Sequence, residues 1–367
     1  MARLLVYALV AGSGVFCLLA IVAARRYRGQ RAPALRNPAP PISILRPLDG
    51  LDDGLADNLR SFFQQDYPGE FEILFALRHS TDPAVPLVEQ IQREFPHVPS
   101  RLFTVGEPPY ANAKVWSLER MTAEARFELL AMADSDIHVT PKFLATVAAE
   151  FQEDDKLAIT TCPYRAVAGA SIWSQLEAAM MNTEFIAGIL VARMLEGMKF
   201  AVGPTVVARR SAIATIGGWA RLKDYLAEDF VLGQLAVEAG LGVGLSTYVI
   251  EHRIGSQPFG PNARHRLRWC RSTRRSRPAG YVGQLFTFTL PLIMLGLPWS
   301  LLALPVWVWA KVETAALTLH AGSRWYLMPA AELASLLFWI GGFFGNTIGW
   351  RGRSYYLHAD GRFERIP

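Results

Sequence analysis

Two kinds of apolar run alternate with polar segments along this chain of 367 residues. Short runs of strand length, such as residues 71–77, are separated by segments with helical spacing, such as residues 55–63. Strands that alternate with helices predict a largely parallel sheet covered by helices on both faces. The pattern therefore predicts an α/β domain over residues 42–255. Its other predicted strands are 42–45, 102–105, a run ending at 133, 157–162 and 203–209.

A longer apolar run lies near the N-terminus. Residues 4–24 carry no charge and are long enough to cross a bilayer as a helix, and Arg25, Arg26 and Arg28 follow directly. A cleaved signal peptide is the alternative, but its charge would precede the apolar run. The positive-inside rule places the basic end in the cytoplasm and the N-terminus outside.

Two further runs of membrane length lie near the C-terminus. Residues 286–309 form the first, which three prolines could kink or split, and residues 327–348 form the second. The segment after them is rich in arginine, which is typical of a cytoplasmic tail. We expect three spans in an integral protein of a bacterial inner membrane, with the α/β domain and the tail in the cytoplasm. The prolines are Pro291, Pro298 and Pro305, and the tail arginines are Arg351, Arg353, Arg362 and Arg365.

These runs divide the chain into six predicted segments. They are an N-terminal transmembrane anchor (1–28), a linker (29–41), the α/β domain (42–255), a basic amphipathic segment (256–282), a C-terminal transmembrane region (283–349) and a tail (350–367).

Composition agrees with a globular domain joined to membrane segments. Hydrophobic residues make up 51% of the chain and the mean hydropathy is +0.19, which is high for a purely soluble enzyme. Cys17, Cys162 and Cys270 are far apart and lack the spacing of metal ligands. A disulfide framework is therefore not expected, which suits a cytosolic main domain.

The strongest chemical signal follows an apolar run of strand length. Residues 127–133 lead directly into Asp134-Ser-Asp136. Ligands of open α/β sheets bind beyond the carboxyl ends of strands, and two carboxylates there can hold Mg²⁺ or Mn²⁺ against a diphosphate. The alternative is a solvated turn. The preceding strand favours a functional site, because it fixes where the carboxylates point.

Other candidate residues have structural alternatives. Asp82 could simply cap the helix that follows it. Glu228 and Asp229 open a predicted helix, whose dipole favours carboxylates in its first turn. Lys114, at the start of another helix, could neutralise a phosphate group.

A basic segment near residue 268 carries Arg268 and Trp269 among further arginines. It could rest on anionic lipid head groups, or Arg268 and Trp269 could close a site over a diphosphate and an acceptor. Nucleic-acid binding ranks last, because apolar segments on both sides would hold this run at a membrane. The apolar stretch 173–199 is interpreted as a core helix, with a helix on the membrane surface or along a lipid groove as the alternative.

The order of these motifs resembles a membrane-bound family of inverting glycosyltransferases that share a Rossmann-like nucleotide-sugar fold called GT-A. Within it the chain is most similar to ceramide glucosyltransferases. The resemblance extends from the anchor to the tail. It is carried by Asp82-Pro-Ala, Asn112-Ala-Lys114, Asp134-Ser-Asp136, Ala-Glu228-Asp229-Phe and Arg268-Trp269, with support from Pro163-Tyr164, Gly217-Gly218 and Trp350-Arg351-Gly352.

The resemblance implies roles for several of these residues. Asp82 is expected to contact the uridine nucleotide, Asp134 and Asp136 a divalent cation and the diphosphate, and Asp229 to be the catalytic base. The expected partners are a UDP-sugar, a lipid acceptor such as ceramide and the membrane, without nucleic acid. The expected reaction transfers a hexose, with glucose the first candidate.

One residue departs from the wider pattern. Polymer synthases of the broader group carry Gln-x-x-Arg-Trp, and here His265 stands in the Gln position, which weakens the case for a polysaccharide synthase. Bacterial hopanoid-linked sugar transferases look similar through the same motifs, so a hopanoid or another lipid, and N-acetylglucosamine as the sugar, stay open. A membrane-tethered nucleotidyl or phosphosugar transferase is the alternative of another class. A binding or transport protein would need the anchors but not three carboxylate sites.

Overall fold

A computed structural model describes residues 1–318, 324–350 and 352–366. Its α-helices are α1 (Ala2–Arg28), α2 (Leu55–Phe63), α3 (Ala84–Glu94), α4 (Ala113–Glu124), α5 (Phe143–Glu153), α6 (Ile172–Met180), α7 (Ile186–Glu196), α8 (Arg210–Thr215), α9 (Glu228–Glu238), α10 (Phe259–Ser276), α11 (Pro278–Gly283), α12 (Thr289–Leu295), α13 (Leu304–Thr318) and α14 (Met328–Gly342). Its strands are β1 (Ile42–Pro47), β2 (Phe71–Leu77), β3 (Ser100–Thr104), β4 (Leu129–Ala133), β5 (Ile137–His138), β6 (Leu157–Thr161), β7 (Tyr164–Ala168), β8 (Thr205–Arg209), β9 (Gly242–Leu245), β10 (Ile250–Gly255), β11 (Thr347–Trp350), β12 (Arg353–Leu357) and β13 (Phe363–Arg365).

The main sheet confirms the predicted α/β class. Its seven strands lie in the order β3-β2-β1-β4-β8-β6-β9, and a second sheet joins β5, β10 and β7. Strand β8 runs antiparallel to both of its neighbours, while the other pairings of the main sheet are parallel. The sheet is therefore mixed but rich in parallel strands, as the alternation of strands and helices predicts.

Strand β4 lies at the centre of the main sheet, and all five of its residues are buried. Successive side chains of a strand point to opposite faces. Leu129 and Ala131 accordingly belong to the core on one face, and Leu130 and Met132 to the core on the other. Burial on both faces explains why this strand is a continuous apolar run instead of an alternating one. It also fixes the Asp134 turn that follows.

Three helical stretches are long and apolar enough to cross a membrane: Ala2–Arg28, Ile172–Glu196 and Trp299–Leu317. The first confirms the predicted N-terminal helix. The second is the stretch interpreted as a core helix, with a helix on the membrane surface or along a lipid groove as the alternative. It joins α6 and α7 through a π-helical segment, Met181–Phe185, and is half buried. A bent pair, α11 through α12, forms a fourth candidate.

The first predicted C-terminal span is split, as its three prolines allow, and the second is shorter than predicted. The run 286–309 is broken, because α12 ends at Leu295 and a short 3₁₀ turn precedes α13. Pro298 lies in that break, and proline cannot supply the N–H that a continuous helix requires. The run 327–348 also ends early, because α14 stops at Gly342 and β11 begins at Thr347.

Polar contacts hold the anchor helix against the rest of the protein. Arg25 and Arg28 at its basic end both pair with Glu313 of α13, with Arg25 at 2.6 Å. The Tyr27 hydroxyl donates to the Ser246 carbonyl at 2.6 Å, next to the main sheet. The cytoplasmic end predicted for α1 therefore lies beside the α/β domain.

The predicted tail is not a simple tail. Strands β11, β12 and β13 form an antiparallel sheet whose buried residues pack on Leu226 of the α/β domain. The predicted boundary between membrane region and tail at 349/350 falls inside β11. Arg351, one of the basic residues behind the topology prediction, lies outside the described residues.

Candidate active site

A cavity of about 520 Å³ opens at the carboxyl end of β4. Its walls include the turns after β1 and β4, the start of α4, the loop before β8, the start of α9, and α10 together with the C-terminal sheet. This is the edge at which ligands of open α/β sheets bind. The structure brings Lys114, Asp134, Asp136, Asp229, Arg268 and Trp269 to this one cavity, all of which the sequence singles out.

The backbone fixes the Asp134-Ser-Asp136 turn at the base of the cavity. The Asp134 N–H donates to the Pro204 carbonyl at 3.1 Å, and the Asn58 side-chain amide donates to the Ser135 carbonyl at 3.1 Å. Beneath the turn lies Arg46, which is fully buried. Burial lowers the pKa of Arg46 to about 9, and Asp134 and Asp136 oppose that change.

Lys114 joins two of the carboxylate groups. Its Nζ lies 2.7 Å from Asp134 Oδ1 and 3.0 Å from Glu228 Oε1. The Asn112 side chain caps α4 by accepting from the Val115 N–H at 3.1 Å, and so sets the position of Lys114 in the first turn. Burial alone would lower the pKa of Lys114, but attraction to Asp134 and Glu228 raises it. Lys114 is therefore a permanent positive charge at the cavity floor.

Asp136 pairs with His252, a residue that the sequence analysis does not single out. His252 Nε2 lies 2.9 Å from Asp136 Oδ2. Burial would raise the pKa of Asp136, but the attraction of His252 and its hydrogen bond lower it to about 2. The same attraction raises the pKa of His252, against the effect of burial. Asp136 is thus ionised across the physiological range.

Asp229 lies in the first turn of α9, beside Glu228 and against Gly203. A β-carbon at Gly203 would lie 2.9 Å from Asp229 Oδ2, so any side chain there would displace the carboxylate. Burial, and then repulsion from Glu228, raise the pKa of Asp229 to about 7. A carboxylate with this pKa can take up and release a proton near neutral pH.

Arg268 and Trp269 lie on α10 at the opposite wall. The Arg268 guanidinium is 5.8 Å from the centre of the Trp350 ring, so the C-terminal sheet helps to place it. The Trp269 ring packs against His265 at 4.9 Å and Phe185 at 6.1 Å between ring centres. Arg268 therefore presents a charge to the cavity, and Trp269 forms part of an aromatic wall.

Asp82 is not among the residues that line the cavity within the described chain. Its Oδ1 accepts from the Ala84 N–H at 2.9 Å and its Oδ2 from the Gly50 N–H at 3.1 Å. Both carboxylate oxygens thus serve the backbone, one at the start of α3 and one at the turn after β1. The capping interpretation accounts for these contacts, and Asp82 can affect a ligand through the turn that contains Asp49, which does line the cavity.

Several cavity residues carry no local sequence signal. His252 meets Asp136 across 116 positions, and Arg353 reaches the cavity from the segment predicted as a tail. Arg46, beneath the Asp134 turn, resembles a surface residue in the sequence, yet it lies in β1 and is fully buried. Only the tertiary fold brings these side chains to the Asp134 turn. For His265, the departure from Gln-x-x-Arg-Trp is the one signal that points to it.

The carboxylates fit a divalent cation. Among the described residues no group of three or more His, Cys, Asp or Glu side chains could hold a metal by itself. Mg²⁺ and Mn²⁺, however, prefer oxygen ligands, and Mg²⁺ is commonly bound by one or two carboxylates together with substrate phosphates. Asp136 Oδ1 is buried and has no hydrogen-bond partner in the described part of the chain, so one oxygen is left for such an ion. Asp134 and Asp136 would hold it together with the phosphates of a bound nucleotide.

A family profile matches nearly the whole chain, and individual relatives match more than half of it. The sequence profile of Glycosyl transferase family 21 matches residues 5–363. Ceramide glucosyltransferase 1 of Caenorhabditis elegans is 28% identical over 210 residues, which is 57% of this chain and 44% of that protein. Ceramide glucosyltransferase 3 of the same organism is 26% identical over 242 residues, 64% of this chain and 51% of that protein. The match thus spans about half the length of these relatives.

A mannosyltransferase of known structure shares the fold. It is the mannosyltransferase PcManGT from Pyrobaculum calidifontis in complex with GDP-Man and Mn²⁺, with a TM-score of 0.54, 17% identity, and coverage of 93% of this chain and 99% of that one. This likeness confirms the predicted GT-A fold. Because the family profile covers almost every residue from the anchor helix to the C-terminal sheet, this chain belongs to Glycosyl transferase family 21.

Proposed function

We propose that this protein is a membrane-bound inverting hexosyltransferase that transfers a sugar, glucose as the first candidate, from UDP to the primary hydroxyl of a lipid such as ceramide. One observation carries the proposal. Asp134 and Asp136, Asp229 and Arg268 line a single cavity whose wall also includes Phe185, from the membrane-length stretch Ile172–Glu196. A donor site and a path from the lipid bilayer thus meet at one place.

The acidic turn and two basic side chains, Lys114 and Arg268, stabilise the leaving group. A divalent cation bound at Asp134 and Asp136 would act as a Lewis acid on the departing UDP. Lys114 keeps Asp134 in place and adds positive charge beside the diphosphate. Arg268 supplies charge-assisted hydrogen bonds to the same phosphates from α10. The PcManGT complex contains Mn²⁺, which supports a divalent cation here, and oxygen ligands accept either Mg²⁺ or Mn²⁺.

Asp229 takes the role of the base. It accepts the proton of the lipid hydroxyl while that oxygen attacks the anomeric carbon of the sugar and the bond to UDP breaks. The pKa of about 7, caused by burial and by Glu228, matches the operating pH of such a base. A single displacement inverts the anomeric centre, so an α-linked UDP-sugar gives a β-linked glycolipid.

The relatives support the lipid and the sugar. Both C. elegans proteins are named ceramide glucosyltransferases, and the matched region includes about half of each. The helices at both ends would hold the cavity at the bilayer surface, where a lipid hydroxyl can reach it. We place the α/β domain on the cytoplasmic side of a bacterial inner membrane, because the basic end of α1 lies beside that domain.

The test uses the full chain purified in lipid nanodiscs. Incubation with UDP-glucose, Mn²⁺ or Mg²⁺ and ceramide should yield a β-glucosylated lipid, identified by mass spectrometry and by the coupling constant of the anomeric proton. Reactions without ceramide, and with GDP-mannose in place of UDP-glucose, are the controls. Release of UMP instead of UDP would indicate a phosphosugar transferase and refute the proposal, as would a product with retained α configuration.

A further inference from the structure

A buried carboxylate in the membrane-length stretch Ile172–Glu196 takes no part in the steps described above. Glu177 of α6 is 1% exposed. Its Oε2 accepts from the Asn262 side-chain amide, and its Oε1 lies 3.0 Å from His265 Nδ1. Asn262 and His265 lie one turn apart on α10, so one carboxylate holds two side chains of the facing helix.

These contacts determine the orientation of His265. An ionised carboxylate only accepts hydrogen bonds, so the hydrogen-bond network assigns the proton of the neutral ring to Nδ1. Nε2 then carries a free lone pair, and His265 is one of the residues that line the cavity. Burying a carboxylate to hold two helices together costs free energy that an apolar pair would not, which favours a functional reason for Glu177.

The surroundings of His265 identify the kind of group that it would meet. Its ring packs on Trp269, which in turn packs on Phe185 of the membrane-length stretch. Of the two side chains proposed to bind the phosphates, Lys114 lies on α4, and Arg268 lies on α10 one turn beyond His265. An aromatic wall with a single hydrogen-bond acceptor suits a lipid head group better than a diphosphate.

We propose that Glu177 and His265 form a positioning pair in which Glu177 orients the ring so that Nε2 accepts a hydrogen bond from a donor group of the lipid acceptor. This inference rests on the proposed function and deepens it, because it names the acceptor class. The acceptor is a lipid alcohol with a second donor, an amide N–H or a hydroxyl, within a few bonds of the reacting hydroxyl. A lipid with a lone primary hydroxyl leaves this site unused.

The test measures kcat and KM of the full chain in nanodiscs for three lipids. They are ceramide, N-methylceramide, which lacks the amide N–H, and 3-O-methylceramide, which lacks the second hydroxyl. Loss of one hydrogen bond corresponds to about a tenfold change. His265→Ala and Glu177→Ala should each raise the KM for ceramide about tenfold and leave the KM for UDP-sugar unchanged. The wild type should prefer ceramide over one of the analogues, and His265→Ala should lose that preference. Gln175→Ala, on the same helix but without a contact to α10 among its described hydrogen bonds, is the matched control and should retain the wild-type constants.

A double substitution separates positioning from general packing. If Glu177 acts through His265, the pair Glu177→Ala and His265→Ala should raise the KM for ceramide no more than His265→Ala alone. Glu177→Gln preserves the side-chain volume and can still accept a hydrogen bond from the His265 ring, so this variant should keep most of the affinity for ceramide. It therefore tests the pair even if an alanine variant misfolds. If the wild type transfers sugar, the proposed function stands, and three results would still refute the positioning pair. They are additive effects of the two substitutions on the KM for ceramide, equal changes in the KM values for ceramide and UDP-sugar, and an unchanged lipid preference in His265→Ala. A wild type that transfers sugar to none of the three lipids would refute both proposals.

Discussion

Asp229→Asn separates the catalytic interpretation of Asp229 from the structural one, because the two interpretations predict opposite changes in the free energy of unfolding. The substitution keeps the shape of the side chain and removes the proton acceptor. Losing a general base typically slows a reaction by about 10²–10⁴, or about 3–5 kcal/mol in the barrier. Binding of the donor should change little, because the base acts on the acceptor hydroxyl.

The stability effect follows from the pKa. Burial and Glu228 raise the pKa of Asp229 from 3.8 to about 7. At a pH between these two values, the folded protein still binds this proton, whereas the unfolded chain has lost it. The contribution of Asp229 to the free energy of unfolding is fully present below pH 3.8 and is lost as the pH rises to about 7. The total loss is on the order of 4 kcal/mol. Asparagine stays neutral, so Asp229→Asn should raise the melting temperature above pH 7, and the gain should shrink toward pH 4.

The assay measures lipid glycosylation and thermal unfolding of the same preparations across pH. Wild-type turnover should rise with pH through about 7, and this dependence should vanish in the variant. Asp155→Asn, an exposed aspartate before β6, is the control for loss of one negative charge. If Asp229 only stabilises the start of α9, the variant should lose about 1 kcal/mol of stability and little rate. That outcome would refute the assignment of the base and move attention to Glu228.

Four further results are expected. Asp134→Ala or Asp136→Ala should weaken metal-dependent UDP-sugar binding by about tenfold or more, and unchanged heats in titration calorimetry would exclude this role. Arg268→Lys should reduce turnover about tenfold despite the retained charge, because lysine lacks the planar fork; full activity would show that charge alone suffices. Gly203→Ala should lower activity sharply at little cost in donor binding, since its β-carbon would lie 2.9 Å from Asp229 Oδ2. A reporter fused after the C-terminal sheet should be active only in the cytoplasm, and activity on the outer side would contradict the topology.

The strands and helices around the cavity are largely predictable from local patterns. The bounds of α2 and β2 agree residue for residue with residues 55–63 and 71–77, because α2 has clear helical spacing and β2 is a short apolar run of strand length. The Asp134 turn is predictable for the same reason, since a fully buried strand ends directly before it. Where the apolar pattern of a segment and its functional residues point to the same element, that element can be predicted without the tertiary structure.

The C-terminal third is less predictable because hydropathy cannot distinguish a lipid-facing helix from one packed on protein. Glu332 of α14 is fully buried and pairs with Lys311 at 2.9 Å, so its apolar neighbours face protein contacts as well as lipid. Strands β11 to β13 are short and polar, and their core partner Leu226 lies about 120 positions earlier. His252 and Arg46 escape detection for the same reason, because their partners are distant in sequence.

The C-terminal sheet has a consequence for biosynthesis. Trp350, Arg353 and Tyr355 belong to the cavity wall, yet they are translated after every membrane helix of the described chain. A nascent chain therefore presents an incomplete pocket until its last helices have entered the bilayer and the segment behind them has left the ribosome. A chain that ends before this sheet is therefore expected to lack one wall of the pocket even when all its membrane helices are in place.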